Sequence, residues 1–243
     1  MGRIVAVLVS GAALLLTWTP VAGAQRSVGP PSSFERLVFI DKGVTSAAKP
    51  TADAMSTDFH LLGGHPSWPA SSTVHYSVNP SGCVNDCANA VTAVDNAFNS
   101  WEISGITFTR TTPGDPDPCG GTDSLSWTPI DGPGGTLAET FVCQSRATHQ
   151  IVGFQTLFDS ADPWSASGAA GHFDIQATAT HEEGHTMGLD HVHAPHDARL
   201  TMYPFITEAD TGFRTLGCGD RLGVNALYGT SLGCIANVTV PLD

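Results

Sequence analysis

The 243-residue chain has a formal net charge of −13, only 14% charged residues, and two lysines, Lys42 and Lys49. Such a surface repels a phosphate backbone, which excludes nucleic acid as a partner. Its carboxylates suit hard cations such as calcium instead.

The chain opens MGRIVAVLVSGAALLLTWTPVAGA, with one basic residue (Arg3), an apolar run to about Leu16 and the small triplet Ala22-Gly23-Ala24. That pattern predicts a secretory signal peptide over residues 1–24, and hence an extracellular protein. The run is too short for a membrane span, and no later segment reaches that length. Residues 25–65 are rich in Ser, Pro, Ala and Thr around one apolar stretch, Leu37-Val38-Phe39-Ile40. They read as a leader or propeptide, with an N-terminal arm packed on the domain as the alternative. Residues 66–243 form the single folded domain, expected to be a monomer.

Within it, Thr73 to Val78 has strand composition and ends at the turn signal Asn79-Pro80. A helix is predicted from about Asp86 to Ser100, with Val91, Val94, Phe98 and Trp101 on one buried stripe. Strands follow at Ile106–Thr109, Ser124–Ile130, Thr136–Val142 and Gln150–Phe158. A second helix starts at the N-cap Asp174 and runs through Thr186, and a third covers Asp220 to Tyr228 before Gly229. The fold class is therefore α+β (mixed α/β), with short strands and three main helices. Six cysteines in an exported chain suggest three disulfides. Sequence leaves the pairing open, and the neighbour set 83–87, 119–143 and 218–234 is the expectation.

Residues 181–191 read HEEGHTMGLDH. On a helix, positions i and i+4 share a face, so His181 and His185 can both reach one zinc. Glu182 points beside that metal, where a general base takes a proton from zinc-activated water. Gly188 can take the left-handed backbone that ends the helix and brings in His191 as third ligand. Three nitrogens leave a fourth position for water, as a hydrolytic site requires. The long form is far more specific than HExxH alone. His193 and His196 read as loop or rim residues, and His172 as a residue preceding the helix cap.

Eleven residues past His191 stands Met202, in Thr201-Met202-Tyr203-Pro204. With HExxHxxGxxH before it, this chain resembles the metzincin zinc endopeptidases, and within them the matrixin-like branch. AFNSWEISGITFTR (97–110), DGPGGTLAETF (131–141) and DRLGVNALYG (220–229) are similar to that family's first helix and second strand, its calcium-loop segment, and its C-terminal helix. The resemblance implies a twisted, mostly parallel sheet with three helices and an active-site cleft. It implies a secreted zinc metalloendopeptidase whose catalytic domain is residues 66–243. His181, His185 and His191 would be the zinc ligands, Glu182 the base, and Met202 the structural Met-turn residue. A protein or peptide substrate would lie extended along Thr136 to Phe141 as the sheet edge. The other readings are a zinc hydrolase of cell-wall peptide and a catalytically silent binding module.

The departures are specific. Leu137-Ala138-Glu139-Thr140 stands where the family carries a histidine of a second zinc, so one zinc is expected. No cysteine precedes Cys83, which removes the family's cysteine latency device, and Val192 replaces the serine after the third histidine. Asp131, Asp159 and Asp162 are candidate calcium ligands, although exposed loop carboxylates are their plainer reading.

Overall fold

The computed structural model describes residues 34–43 and 56–234; residues 1–24 lie outside them. In chain order the elements are β1 (Phe34–Lys42), β2 (His60–Leu61), β3 (Thr73–Asn79), β4 (Asn85–Asp86) and α1 (Ala90–Trp101). Then come β5 (Thr107–Arg110), β6 (Asp123–Thr128), β7 (Thr136–Ser145), β8 (Ile151–Asp159), β9 (Trp164–Ser165) and β10 (Phe173–Asp174). The last three are α2 (Ile175–Thr186), β11 (Leu189–Asp190) and α3 (Cys218–Tyr228).

The main sheet has six strands in the order β1-β7-β8-β6-β3-β5. β5, β3, β6 and β8 run parallel, and β7 and β1 each reverse direction against their neighbour. The alternation of Val74, Tyr76 and Val78 on β3 follows from the two-residue pleat, which sends these side chains to the helix-covered face. There Tyr76 meets Phe98 of α1 at a ring separation of 3.8 Å, and Phe98 packs in turn on Phe108 and Phe154. A second cluster, Trp127, Phe158 and Trp164, fills the other end.

On α1 the buried stripe is Ala90, Ala93, Val94, Ala97, Phe98 and Trp101. Val91 is only partly buried, because the helix starts four residues later than predicted and three alanines take the positions closest to the core. All three disulfides pair as neighbours: Cys83–Cys87, Cys119–Cys143 and Cys218–Cys234. Among the described residues no helix is long and apolar enough to cross a membrane.

Two features lie in the stretch read as a leader. β1 pairs antiparallel along the whole of β7, from Phe34 opposite Ser145 to Lys42 opposite Thr136. The strand expected to be the sheet edge is therefore covered, since its free row of backbone donors and acceptors is one an extended chain can satisfy. β2 pairs with β11, and Leu62, buried just beyond it, donates its N–H to Gly188 O at 3.0 Å.

Candidate metal centre

Helix α2 starts where Asp174 accepts a bond from Ala177 N at 2.8 Å and meets Arg214 Nε at 2.9 Å. Of its twelve residues only Gln176 is not fully buried, although the helix is not an apolar one. Neighbouring side chains hold its backbone in place. Trp101 Nε1 donates to Thr180 O and Trp68 Nε1 to Thr186 O, each at 2.9 Å. Gly188 then turns the chain back with φ +94°, and a Cβ there would strike the backbone of Pro66.

His181 Nδ1 lies 2.5 Å from Thr201 O, and His185 Nδ1 lies 2.9 Å from Leu189 O. A carbonyl only accepts, so each Nδ1 carries the proton and each Nε2 presents a lone pair. Those two Nε2 atoms both lie 3.1 Å from His191 Nε2. Two nitrogens on one tetrahedral zinc stand about 3.3 Å apart. The donor set therefore fits a zinc ion: three imidazole nitrogens that lie within 4.8 Å of one another.

Glu182 is fully buried, and Thr140 Oγ1 of β7 donates to its Oε2 at 2.5 Å. Thr140 is itself bonded to Thr156 Oγ1 at 2.9 Å. This fixes the carboxylate one residue from His181. The neighbouring Glu183 differs in kind. Burial drives its pKa well above the ordinary value, Thr186 works against this by donating to Oε2 at 3.1 Å, and the Asp123 charge adds to it.

Met202 is buried with its sulfur against Gly184, the residue before His185, where a Cβ would collide with it. Asp220 of α3 holds this turn: its carboxylate accepts from Thr201 N at 2.9 Å, Met202 N at 3.2 Å and Gly217 N at 2.7 Å. Met202 O in turn accepts from Val192 N at 3.0 Å, tying the turn to the residue after His191.

The structure thus brings His181, Glu182, His185, His191 and Met202 together. It does not gather Asp131, Asp159 and Asp162 in the same way. Among the described residues, the groups of three ligand atoms close enough for one ion are His181/His185/His191 and Asp58/His196/Asp197. Asp159 and Asp162 are buried rather than exposed, because the turn after β6 folds its N–H groups onto them. Asp159 accepts from the backbone of Ile130, Asp131, Gly132 and Ala161. Burial pushes its pKa up, but those four bonds outweigh it and hold the carboxyl below the ordinary value. Asp162 accepts from Gly134 N at 2.7 Å, while its buried Oδ2 has no hydrogen-bond partner. Asp131 is used by Thr136 N and Thr136 Oγ1. In the second group, His196 Nε2 lies 3.1 Å from Asp58 and 3.4 Å from Asp197, clipping residue 58 to the loop beyond the third histidine.

Sequence reasoning missed Thr140, the orienting carbonyls of Thr201 and Leu189, and Asp220. A carboxylate at the third position of a helix is itself a capping signal, so Asp220 had a local cue; Thr140 had none.

A histidine cage over a methionine turn, entered from a mostly parallel sheet, is the arrangement of a metzincin. A family model described as matrixin matches residues 67–229, and the chain belongs to that family. It is 29% identical over 180 residues to neutrophil collagenase of Homo sapiens, covering 72% of this chain and 36% of the relative. It is 29% identical over 209 residues to metalloendoproteinase 1 of Glycine max, covering 76% and 60%. Matrix metalloproteinase-20 of Homo sapiens is 30% identical over 190 residues, covering 76% and 37%. The chain thus spans from about a third to three-fifths of these relatives' own length.

Proposed function

We propose that this chain is a secreted zinc-dependent endopeptidase in which His181, His185 and His191 hold the metal and Glu182 is the general base. The observation that carries this reading is the pairing of two arrangements: three imidazoles with their Nε2 atoms gathered together, and beside them a buried carboxylate held by Thr140. Bound zinc supplies a Lewis acid that polarises the scissile carbonyl and acidifies water. Glu182 takes the proton of the attacking water and passes it to the leaving amine. Thr140 donates to Oε2, which keeps the carboxylate oriented and leaves proton transfer to its other oxygen. Thr201 O and Leu189 O fix the two imidazole tautomers, so both Nε2 atoms already face the metal position. The signal-peptide pattern of residues 1–24 and the three disulfides support export, with 25–65 as leader and 66–243 as catalytic domain. A peptide or protein substrate would lie extended beside β7.

For the acidic turn after β6, we read Asp131 and Asp159 as backbone caps rather than calcium ligands. Their oxygens already accept from the turn itself.

The test is Glu182→Gln, which keeps size and position but removes the base. It should retain one equivalent of zinc by mass spectrometry and lose at least a thousandfold in casein cleavage, on the order of the general-base contribution. Full cleavage by that variant would sink the mechanism.

A further inference from the structure

The strand β1 comes from outside the matched family region, residues 67–229, yet it is hydrogen-bonded to the strand that holds the proposed base. β7 has two edges. One pairs with β8, and β1 takes the other along its full length. The pairing extends past the strand through Gly43 N to Gly135 O at 2.9 Å. Phe39 stands directly opposite Thr140, the residue bonded to Glu182, so the β1 backbone runs about one strand spacing, ~4.8 Å, from it. An extended polypeptide approaching Glu182 beside β7 would need those same backbone groups.

We propose that Phe34–Lys42 is a resident strand that occupies the peptide-binding edge of β7, so that polypeptide reaches the site only when this strand leaves. The proposal rests on the peptidase reading. It needs no cysteine, consistent with the absence of one before Cys83. Its physical content is competition: the apparent affinity for an incoming chain falls in proportion to the fraction of molecules whose edge is free.

The test places proline at two neighbouring positions, Leu37→Pro with Val38→Pro, in the full chain. Alternate N–H groups of a strand face its partner, so one of these two must lose a ladder bond. With zinc content and thermal midpoint as controls, kcat/KM for casein should rise about tenfold or more, the effect of freeing an edge occupied by 1.4 kcal/mol. In a second measurement, a dansyl-labelled peptide FERLVFIDK is added to Glu182→Gln chains with and without the prolines. It should bind the proline chain at least tenfold more tightly, and it should competitively inhibit casein cleavage by the proline chain that keeps Glu182. Equal binding to both chains overturns the occupancy. Selective binding with unchanged casein cleavage overturns the claim that substrate uses this edge. If neither chain cleaves casein, the peptidase reading falls, and the dansyl-peptide still decides whether β1 holds a displaceable place.

Discussion

The histidine cage and the acidic turn after β6 both concentrate metal-binding residue types, and they use them in opposite ways. In the cage, backbone carbonyls take the Nδ1 protons of His181 and His185, whose Nε2 atoms each lie 3.1 Å from His191 Nε2. In the turn, backbone N–H groups come to the carboxylates, four of them to Asp159 alone. Residue type therefore does not define a metal site. What matters is whether the backbone occupies the donor atoms themselves or instead turns them toward one another. Asp220 belongs with the turn: it is a carboxylate saturated by three N–H groups, yet it serves the cage by fixing Thr201 and Met202.

Removing zinc should separate the two regions most widely. Stripping it with 1,10-phenanthroline leaves three lone pairs opposed. A ligand present at a thousand times its Kd contributes about 4 kcal/mol, so the thermal midpoint should fall about 10 °C together with all cleavage. A midpoint that does not move would mean the cage is already satisfied without an ion. Next in size is Asp220→Ala, which leaves the buried N–H donors of Thr201 and Met202 and the half-buried one of Gly217 without their acceptor and should cost about 3 kcal/mol. Calorimetry would check this, and zinc affinity should drop as well, because Thr201 O also orients His181. Unchanged zinc affinity would show that the Met202 turn holds its shape without α3.

A smaller effect is expected at Asp123, a buried carboxyl on β6 whose pKa burial pushes from 3.8 up to about 7, against one bond from Phe154 N. The folded state binds this proton more tightly than the unfolded one. The stabilisation is complete below about pH 4 and is lost as pH rises toward 7. Asp123→Asn stays neutral throughout, so its midpoint should gain steadily on the wild type as pH rises from 4 to 7.5. A flat difference would place the Asp123 titration in the ordinary range. Smallest is calcium: adding it or chelating it should shift the midpoint by less than about 1 °C, within the few tenths of a kcal/mol expected of a self-capped turn. A larger shift would show that Asp162 Oδ2 completes an ion site.

What could be read from the sequence was whatever is local in the chain. His181 and His185 are set by helix pitch, Gly188 by the backbone it alone adopts easily, and the Asp174 and Gly229 caps by their own turns. The disulfide partners were legible because each closes a short loop. Thr140 was not, since its tie to Glu182 joins a strand and a helix 42 residues apart. The burial of Asp159 and Asp162 was hidden too: acids among glycines and prolines read as exposed until the turn wraps them. Leu37 to Ile40 stood out as apolar, but nothing in the sequence named β7 as the partner, because register is settled between strands about a hundred residues apart.

The pairing of β2 with β11 has a consequence for how the cage assembles. Two of its imidazoles are placed as soon as three turns of helix form, a local and fast event. The third waits on contacts of much longer range, among them the bond from His60 Nδ1 to His191 O, which spans 131 positions in the chain. Closing such loops is slow and comes late in folding. A newly made chain should therefore pass through a stage with a bidentate, weak grip on metal, and gain its tight grip only when the segment around residue 60 docks.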